Sequence, residues 1–311
     1  MDLFIPLTVS DKNLIGPFLE RSGKTGAEYS FATLYMWSAI FHTSYHIVSS
    51  AGERILVIKS CKDAATPCHF LYPMGLDQPV EAEKALKILS RLSDGVSFLA
   101  GGLSQEEALG LKALDPGNIK IQPVRESYDY VYNASDLLEL KGKKLQSKRN
   151  HLNAFLKEYP QHRIRAIEET DIPACLEMND QWCKIMGCLY DLSLGQEACA
   201  VHKGFRAFGA LGLEGLMITV DGRIIAYTFG EPFLQNTYLV HVEKAFPEYR
   251  GAYQVINQAF VKHILEKYPD TLLVNREDDV GNEGLRQAKM SYRPAFLIEK
   301  YSALVNLPPR P

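Results

Sequence analysis

The sequence predicts an α+β protein with two mixed β-sheets, and three observations carry that prediction. The chain has 311 residues, more than a single core usually serves, so two domains are expected. Alternating apolar runs of strand length are interleaved with segments of helical spacing. The order helix, hairpin, strand, helix, strand occurs twice, over residues 1–135 and 160–305, although the halves share no residue-level repeat. The expected division is a first domain at 1–135, a basic connecting helix at 136–160 and a second domain at 161–311.

In the first half, "YSFATLYMWSAIFHTSYHIV" (29–48) carries apolar residues at helical spacing and reads as one helix. Its aromatic residues Tyr29, Phe31, Tyr35 and Trp37 read as helix core. Ser50, Ala51 and Gly52 form a turn into the strand "RILVIKS". "HFLYPMG", a helix near 80–92 and the strand "VSFLAGG" follow, and "YDYVY" (128–132) alternates as a strand with Asp129 outward. In the second half, Thr170 or Asp171 caps a helix with Pro173 in its first turn. "LMITVDGRIIAYTFG" is two alternating runs joined by Asp221–Gly222, a strong hairpin signal. The strand "TYLVHVEKA", the helix "AYQVINQAFVKHILEKY" and the strand "TLLVN" complete the order.

Between the halves, "SDLLELKGKKLQSKRNHLNAFLKEYPQ" reads as a helix opened by Asp136 and Glu139. Leu145, Leu152, Leu156 and Tyr159 share one face, and Lys141, Lys144 and Lys148 stack on another. With Lys143 and Arg149 this makes five basic residues in nine, a concentrated positive field in a chain of net charge −3. Such a stripe is either a solvated face or a phosphate-binding surface, for tRNA or an anionic lipid headgroup.

Composition narrows the classes. With 46% hydrophobic and 23% charged residues the chain is an ordinary globular one. A generally basic nucleic-acid coat is excluded. No apolar run reaches ~18 residues, so no transmembrane segment is expected. "MDLFIPLTVSDKN" lacks the pattern of a signal peptide, and the expected location is cytoplasmic. Six scattered cysteines without a CxxC pair read as buried thiols, with no metal site. His241 and His263 read as hydrogen-bonded residues rather than bases or ligands. No P-loop, zinc motif, nucleophile elbow or dinucleotide fingerprint is present.

"TYLVHVEKAFPEYRGAYQVINQAF" reads strand, loop, helix, with Arg250–Gly251 at the helix start, where free N–H groups bind anions. It resembles the acyl-CoA-binding motif of the GNAT acetyltransferase superfamily, Arg/Gln-x-x-Gly-x-Gly/Ala. After Arg250–Gly251–Ala252, however, Tyr253 and Val255 stand where that superfamily has further small residues, and they would crowd a pyrophosphate. Many GNAT enzymes also place a tyrosine general acid before a Gly-Phe pair. Matching that pair to Ser291–Tyr292 puts Gln287 there.

Four separated segments agree in order with one family. "EYSFATLYMW", "LKGKKLQSKRNHLNAF", "VHVEKAFPEYRGAYQVIN" and "NREDDVGNEGLRQAKMSYRP" resemble the phosphatidylglycerol lysyltransferase C-terminal domain family, over nearly the whole chain. The resemblance implies two tandem GNAT-like domains related to the Fem peptidyltransferases, which take amino acids from aminoacyl-tRNA. The full-length lipid-modifying enzymes add a membrane flippase, which this sequence lacks.

The segment "VNREDDVGNEGLRQAKMSY" (274–292) then acquires a meaning. It brings carboxylates to the end of the strand beside the GNAT-like motif. Aminoacyl transfer needs proton removal from the acceptor and stabilisation of an oxyanion. Glu243, Glu277 and Asp278 are the candidate catalytic residues. Arg276, Arg286 and Lys289 are candidates to hold phosphate or oxyanion charge, with Lys141, Lys144, Lys148, Arg149, Arg250 and Gly251. The expected activity is transfer of an activated amino acid, from aminoacyl-tRNA, to a lipid headgroup or a small amine or hydroxyl acceptor. The alternatives are an acyl-CoA-dependent N-acetyltransferase and a non-catalytic module that binds a phosphorylated ligand.

Overall fold

The computed structural model describes residues 3–307 except 51 and 63–65, and the chain forms two compact units. The first comprises residues up to Tyr128 and from Ile298 onward, the second Asp129–Leu297. The first unit runs β1 (Ile5–Pro6), α1 (Lys12–Arg21), α2 (Phe31–Phe41), β2 (Ser44–Ser50), β3 (Glu53–Ser60), β4 (His69–Leu71) and β5 (Met74–Gly75). It continues with α3 (Ala82–Leu92), β6 (Phe98–Leu103), α4 (Gln105–Leu114) and β7 (Ile119–Pro123). The second runs β8 (Asp129–Asn133), α5 (Ala134–Glu139), α6 (Gln146–Glu158), β9 (Arg163–Ala166), α7 (Ile172–Met186), α8 (Leu192–Arg206) and α9 (Phe208–Leu211). Then come β10 (Glu214–Val220), β11 (Arg223–Leu234), β12 (Thr237–Ala245), α10 (Ala252–Lys267), β13 (Leu273–Asn275), α11 (Glu283–Met290) and β14 (Phe296–Ile298). The last strand, β15 (Tyr301–Val305), belongs to the first sheet.

The two sheets have one topology. The first orders its strands β1-β2-β3-β4-β6-β15-β7, with β5 also paired to β3, and the second β9-β10-β11-β12-β13-β8-β14. Each contains an antiparallel meander, then a parallel pair joined through a helix: β4 and β6 through α3, β12 and β13 through α10. The repeated order read from the sequence is therefore present as two mixed sheets. The boundaries differ from sequential domains at 1–135 and 161–311, because β15 pairs with β6 and β7 while β8 pairs with β13.

Apolar alternation builds each core. In the first unit Ala85, Leu89 and Leu92 of α3 and Ala108 and Leu111 of α4 cover Val57, Phe98, Ala100 and Ala303 of the sheet. In the second, Tyr227 and Phe229 of β11 meet Phe205 of α8 at ring distances of 5.2 and 5.0 Å. Residues of opposite parity on the meander meet α10 instead, as in the edge contact of Tyr238 with Phe260.

Several local expectations are corrected. The helix predicted across 29–48 stops at Phe41, where His42 takes a left-handed conformation (φ 46°), and the remainder is β2. Strands β2 and β3 pair up to Ser50 and Glu53, and Ala51 of the expected turn lies outside the described residues. Residues 136–160 are not one helix: Leu140 (φ 47°) and Gly142 (φ 82°) break the chain between α5 and α6. The buried face of α6 is Leu152 and Phe155, and Leu156 is exposed. Asp129 is fully buried and accepts from Asn275 Nδ2 at 3.0 Å. Four of the six cysteines are paired, Cys61 with Cys68 and Cys183 with Cys188, with Cα atoms 4.5 and 5.2 Å apart. Cys175 is a buried thiol and Cys199 an exposed one.

Candidate active site

The parallel strands β12 and β13 pair from Thr237–Leu273 to Leu239–Asn275. There β13 ends while β12 continues to Ala245, so the strands part at their carboxyl ends. A β-bulge decides what meets in the split. Gly230 pairs with Val240 and Phe229 with Val242, leaving His241 as the extra residue.

His241 is buried between two carboxylates. Its Nδ1 lies 2.9 Å from Glu277 Oε1 and its Nε2 3.3 Å from Glu231 Oε1. Burial pulls the imidazole pKa down, but these two carboxylates outweigh it and raise it to about 9. At neutral pH the ring is a cation that donates from both nitrogens and cannot serve as a base. Reading His241 as a lone hydrogen-bonded residue missed its charge, because Glu231 is ten positions away and aligned only by the bulge.

Arg276, adjacent in sequence to Glu277, takes a different partner. Its Nη2 lies 2.9 Å from Glu243 Oε1, and Glu243 Oε2 accepts from Asn257 Nδ2 of α10 at 2.8 Å. The guanidinium also lies against the rings of Tyr292 (4.9 Å) and Tyr132 (5.5 Å), a cation–π arrangement. Both members of the Arg276–Glu243 pair have side chains only 11% exposed. Arg276 Nη1 is buried with no hydrogen-bond partner among the described residues. Lys148 of α6 reaches the same cluster, its ammonium 4.3 Å from the Tyr292 ring centre. Burial and the neighbouring Arg276 charge lower the Lys148 pKa, with Glu243 opposing.

Glu243, Arg276 and Lys148 therefore come together, with Lys289 beside them, whereas Glu277 lies with His241 and Glu231. Lys289 is engaged structurally: its ammonium donates to the carbonyls of Arg276 (2.6 Å) and Asp278, and burial lowers its pKa against the pull of Asp278. The fully buried acid of the charged run is Asp279. It accepts from Arg286 Nε at 2.9 Å and Nη2 at 3.0 Å, and from the Tyr130 hydroxyl at 2.6 Å. Burial pushes its pKa up, but these bonds and the Gly281 N–H bring it down to about 2. Arg286 is thus an anchor that ties α11 to the strand end.

The remaining basic candidates lie elsewhere. Lys141 is exposed in the break and pairs with Glu139 at 2.9 Å, Lys144 is exposed, and Arg149 Nη1 donates to the carbonyls of Leu140 and Gly142. The three lysines do not form one helical stripe, because the backbone break intervenes. Arg250 is exposed, with Nε 3.3 Å from His151 Nδ1. Gly251 (φ 96°) serves packing: an added Cβ would stand 2.3 Å from His151 O and 2.9 Å from Phe155 Cβ of α6. The N–H groups of Ala252, Gln254 and Val255 already bond to the carbonyls of Tyr249 and Gly251. The Gly251 end of α10 is therefore packed against α6.

Two mixed sheets of matching topology, each with a parallel pair split at its carboxyl end, define a tandem GNAT architecture. Solved structures share it at low identity: FemX (10% identical, TM-score 0.64, 96% of each chain) and a tandem GNAT protein from the clavulanic acid biosynthesis pathway (12%, TM-score 0.55, covering 98% of this chain and 99% of that one). A conserved protein of unknown function from Bacteroides thetaiotaomicron VPI-5482 is 34% identical, with a TM-score of 0.87 over 98% of this chain and all of that one. The model of the family described as phosphatidylglycerol lysyltransferase, C-terminal, matches residues 19–304, and the chain belongs to that family. Among the described residues, no helix is long and apolar enough to cross a membrane, and no group of three or more His, Cys, Asp or Glu is placed to hold a metal ion.

Proposed function

We propose that the chain is an aminoacyltransferase that moves an amino acid from aminoacyl-tRNA to an amine or hydroxyl acceptor, a lipid headgroup or a small molecule. The observation that carries this reading is Arg276, a buried cation at the strand split with one guanidinium nitrogen that has no hydrogen-bond partner among the described residues. Attack of the acceptor on the aminoacyl ester turns the carbonyl oxygen into an oxyanion. A fixed cationic donor in a desolvated site stabilises that charge more than water does. Glu243 and Asn257 hold the guanidinium in place, so Glu243 acts as a positioning residue. Lys148, half-buried beside it, supplies a second cation for a donor phosphate. Glu277 or Asp278 accepts the acceptor's proton, and the ester's 3′ oxygen departs on the tRNA. A tRNA donor makes the cytoplasm the site of reaction.

Family membership supports the transferase class, and the packing of α6 on Gly251, with Tyr253 and Val255 in the place of small residues, favours a donor other than acyl-CoA. The test is incubation of the purified chain with a charged tRNA pool and either phosphatidylglycerol vesicles or a small-amine mixture. Radiolabelled amino acid should appear in one acceptor fraction. Label that stays on tRNA in both mixtures, together with acetyl transfer from acetyl-CoA, would replace this reading with the N-acetyltransferase one.

A further inference from the structure

The first unit has its own parallel pair, His69–Leu99 to Leu71–Gly101, and a cavity of about 240 Å³ lies at the carboxyl end of β6. It occupies the position in this sheet that the Arg276 cluster occupies in the other. Residues 22–26, Glu28 and Tyr29 wall it on one side, Gly102–Ser104 and Glu107 on another, and 298–300 close it. Gly102 (φ 63°) is the residue that follows the parallel pairing. A Cβ there would come within 2.9 Å of Glu28 Oε1 and 3.0 Å of the Tyr29 hydroxyl, which itself donates to Gly102 O.

Two ion pairs line this space, Lys24 with Glu107 and Lys300 with Glu28 at 2.5 Å, and all four side chains are at least three-quarters buried. The Lys24 ammonium also sits 4.6 Å from the Tyr72 ring centre. Buried ion pairs contribute little net stability, because desolvation offsets their attraction. Two of them around one cavity are therefore poorly explained as fold stabilisers. Helix α4 begins at the same wall, with Ser104 as its N-cap, and adds the positive end of its dipole. The buried side-chain charge sums to zero, with Glu299 the only further acid and exposed. A ligand of one sign would leave a buried charge uncompensated. A dipolar ligand would exchange partners with both pairs.

We propose that this cavity binds a small zwitterion, a free α-amino acid. Its carboxylate lies toward Lys300, Lys24 and the start of α4, and its ammonium lies toward Glu28 and Glu107. The site is separate from the proposed transfer site and does not depend on that reading.

The test is calorimetry on the full chain with the twenty free amino acids, inorganic phosphate, and the amine and N-acetyl analogues of any binder. At least one amino acid should bind, with both analogues at least tenfold weaker. The double variant Glu28→Gln/Lys300→Gln should lose that binding at least tenfold while Arg276→Lys keeps it. Thr25→Trp, at an exposed lining position, makes the same test without breaking an ion pair, should the double variant fail to fold. No binding by any amino acid, equal binding of the analogues, tighter binding of phosphate, or loss in Arg276→Lys alone would each overturn the proposal.

Discussion

At the scale of residues, His241 is held as a cation by Glu231 and Glu277, and this sets a pH dependence. Its folded pKa of about 9 lies above the unfolded value of ~6.5. The stabilisation it contributes, on the order of 3 kcal/mol, is complete below pH ~6.5 and lost as pH rises through about 9. Denaturant unfolding between pH 6 and 10 should show this decline in wild type and a flatter profile in His241→Gln; equal slopes would contradict the assignment. Asp279 works in the opposite sense. Its folded pKa of about 2 is below the unfolded value, so its contribution is present above pH ~4 and lost as pH falls through about 2. Asp279→Asn should destabilise by about 3 kcal/mol, since it strands Arg286 and Tyr130. A melting temperature unchanged from wild type would show that the clamp is idle. The adjacent acids Glu277, Asp278 and Asp279 were indistinguishable in sequence. What separates them is the backbone, with Glu277 at φ 55° and Val280 at φ 44°: the Glu277 carboxylate meets His241 and that of Asp279 meets Arg286 and Tyr130.

At the scale of elements, α6 matters through one lysine and one glycine contact. Gly251→Ala should cost about 1–3 kcal/mol, because its φ of 96° disfavours a side chain and its Cβ would push α6 from α10. Chemical denaturation measures it, and a neutral result would show that α6 yields freely. Lys148→Gln should weaken tRNA binding and reduce its salt slope by about 0.7 to 0.9, whereas Lys141→Gln/Lys144→Gln should leave the slope unchanged. The reverse pattern in filter binding would return the function to the exposed lysines. The sequence identified strands such as Thr237–Ala245 because their turn chemistry and alternation are local. It misread 42–48 and 136–160, where single left-handed residues, His42 and Leu140, stop helices that periodicity alone would continue. The cysteine pairs were equally hidden, since separations of seven and five residues do not by themselves specify Cys61 with Cys68 or Cys183 with Cys188. Thiol titration of the unfolded, unreduced chain should find two thiols, and a count of six would contradict the pairing.

At the scale of the whole molecule, one topology is used twice, and each sheet opens at the carboxyl ends of its parallel pair. That plan was legible as a repeated order of elements, but the strand membership was not. β8 and β15 join sheets on the far side of long sequence separations, and nothing local in "YDYVY" or "YSALV" specifies the partner. The charges of the proposed site, Glu243, Arg276, Glu277 and Lys148, were legible as residues, but not their partners. The bulge at His241 and the cover over Gly251 were not, because both depend on register and helix packing. The account's central claim is that Arg276 stabilises the oxyanion of aminoacyl transfer. Single-turnover transfer from charged tRNA by wild type and Arg276→Lys tests it most directly, because lysine keeps the charge opposite Glu243 but loses the second donor nitrogen. The account predicts a fall of about 100-fold or more in the transfer rate, with tRNA affinity and melting temperature close to wild type. A transfer rate within twofold of wild type would contradict it.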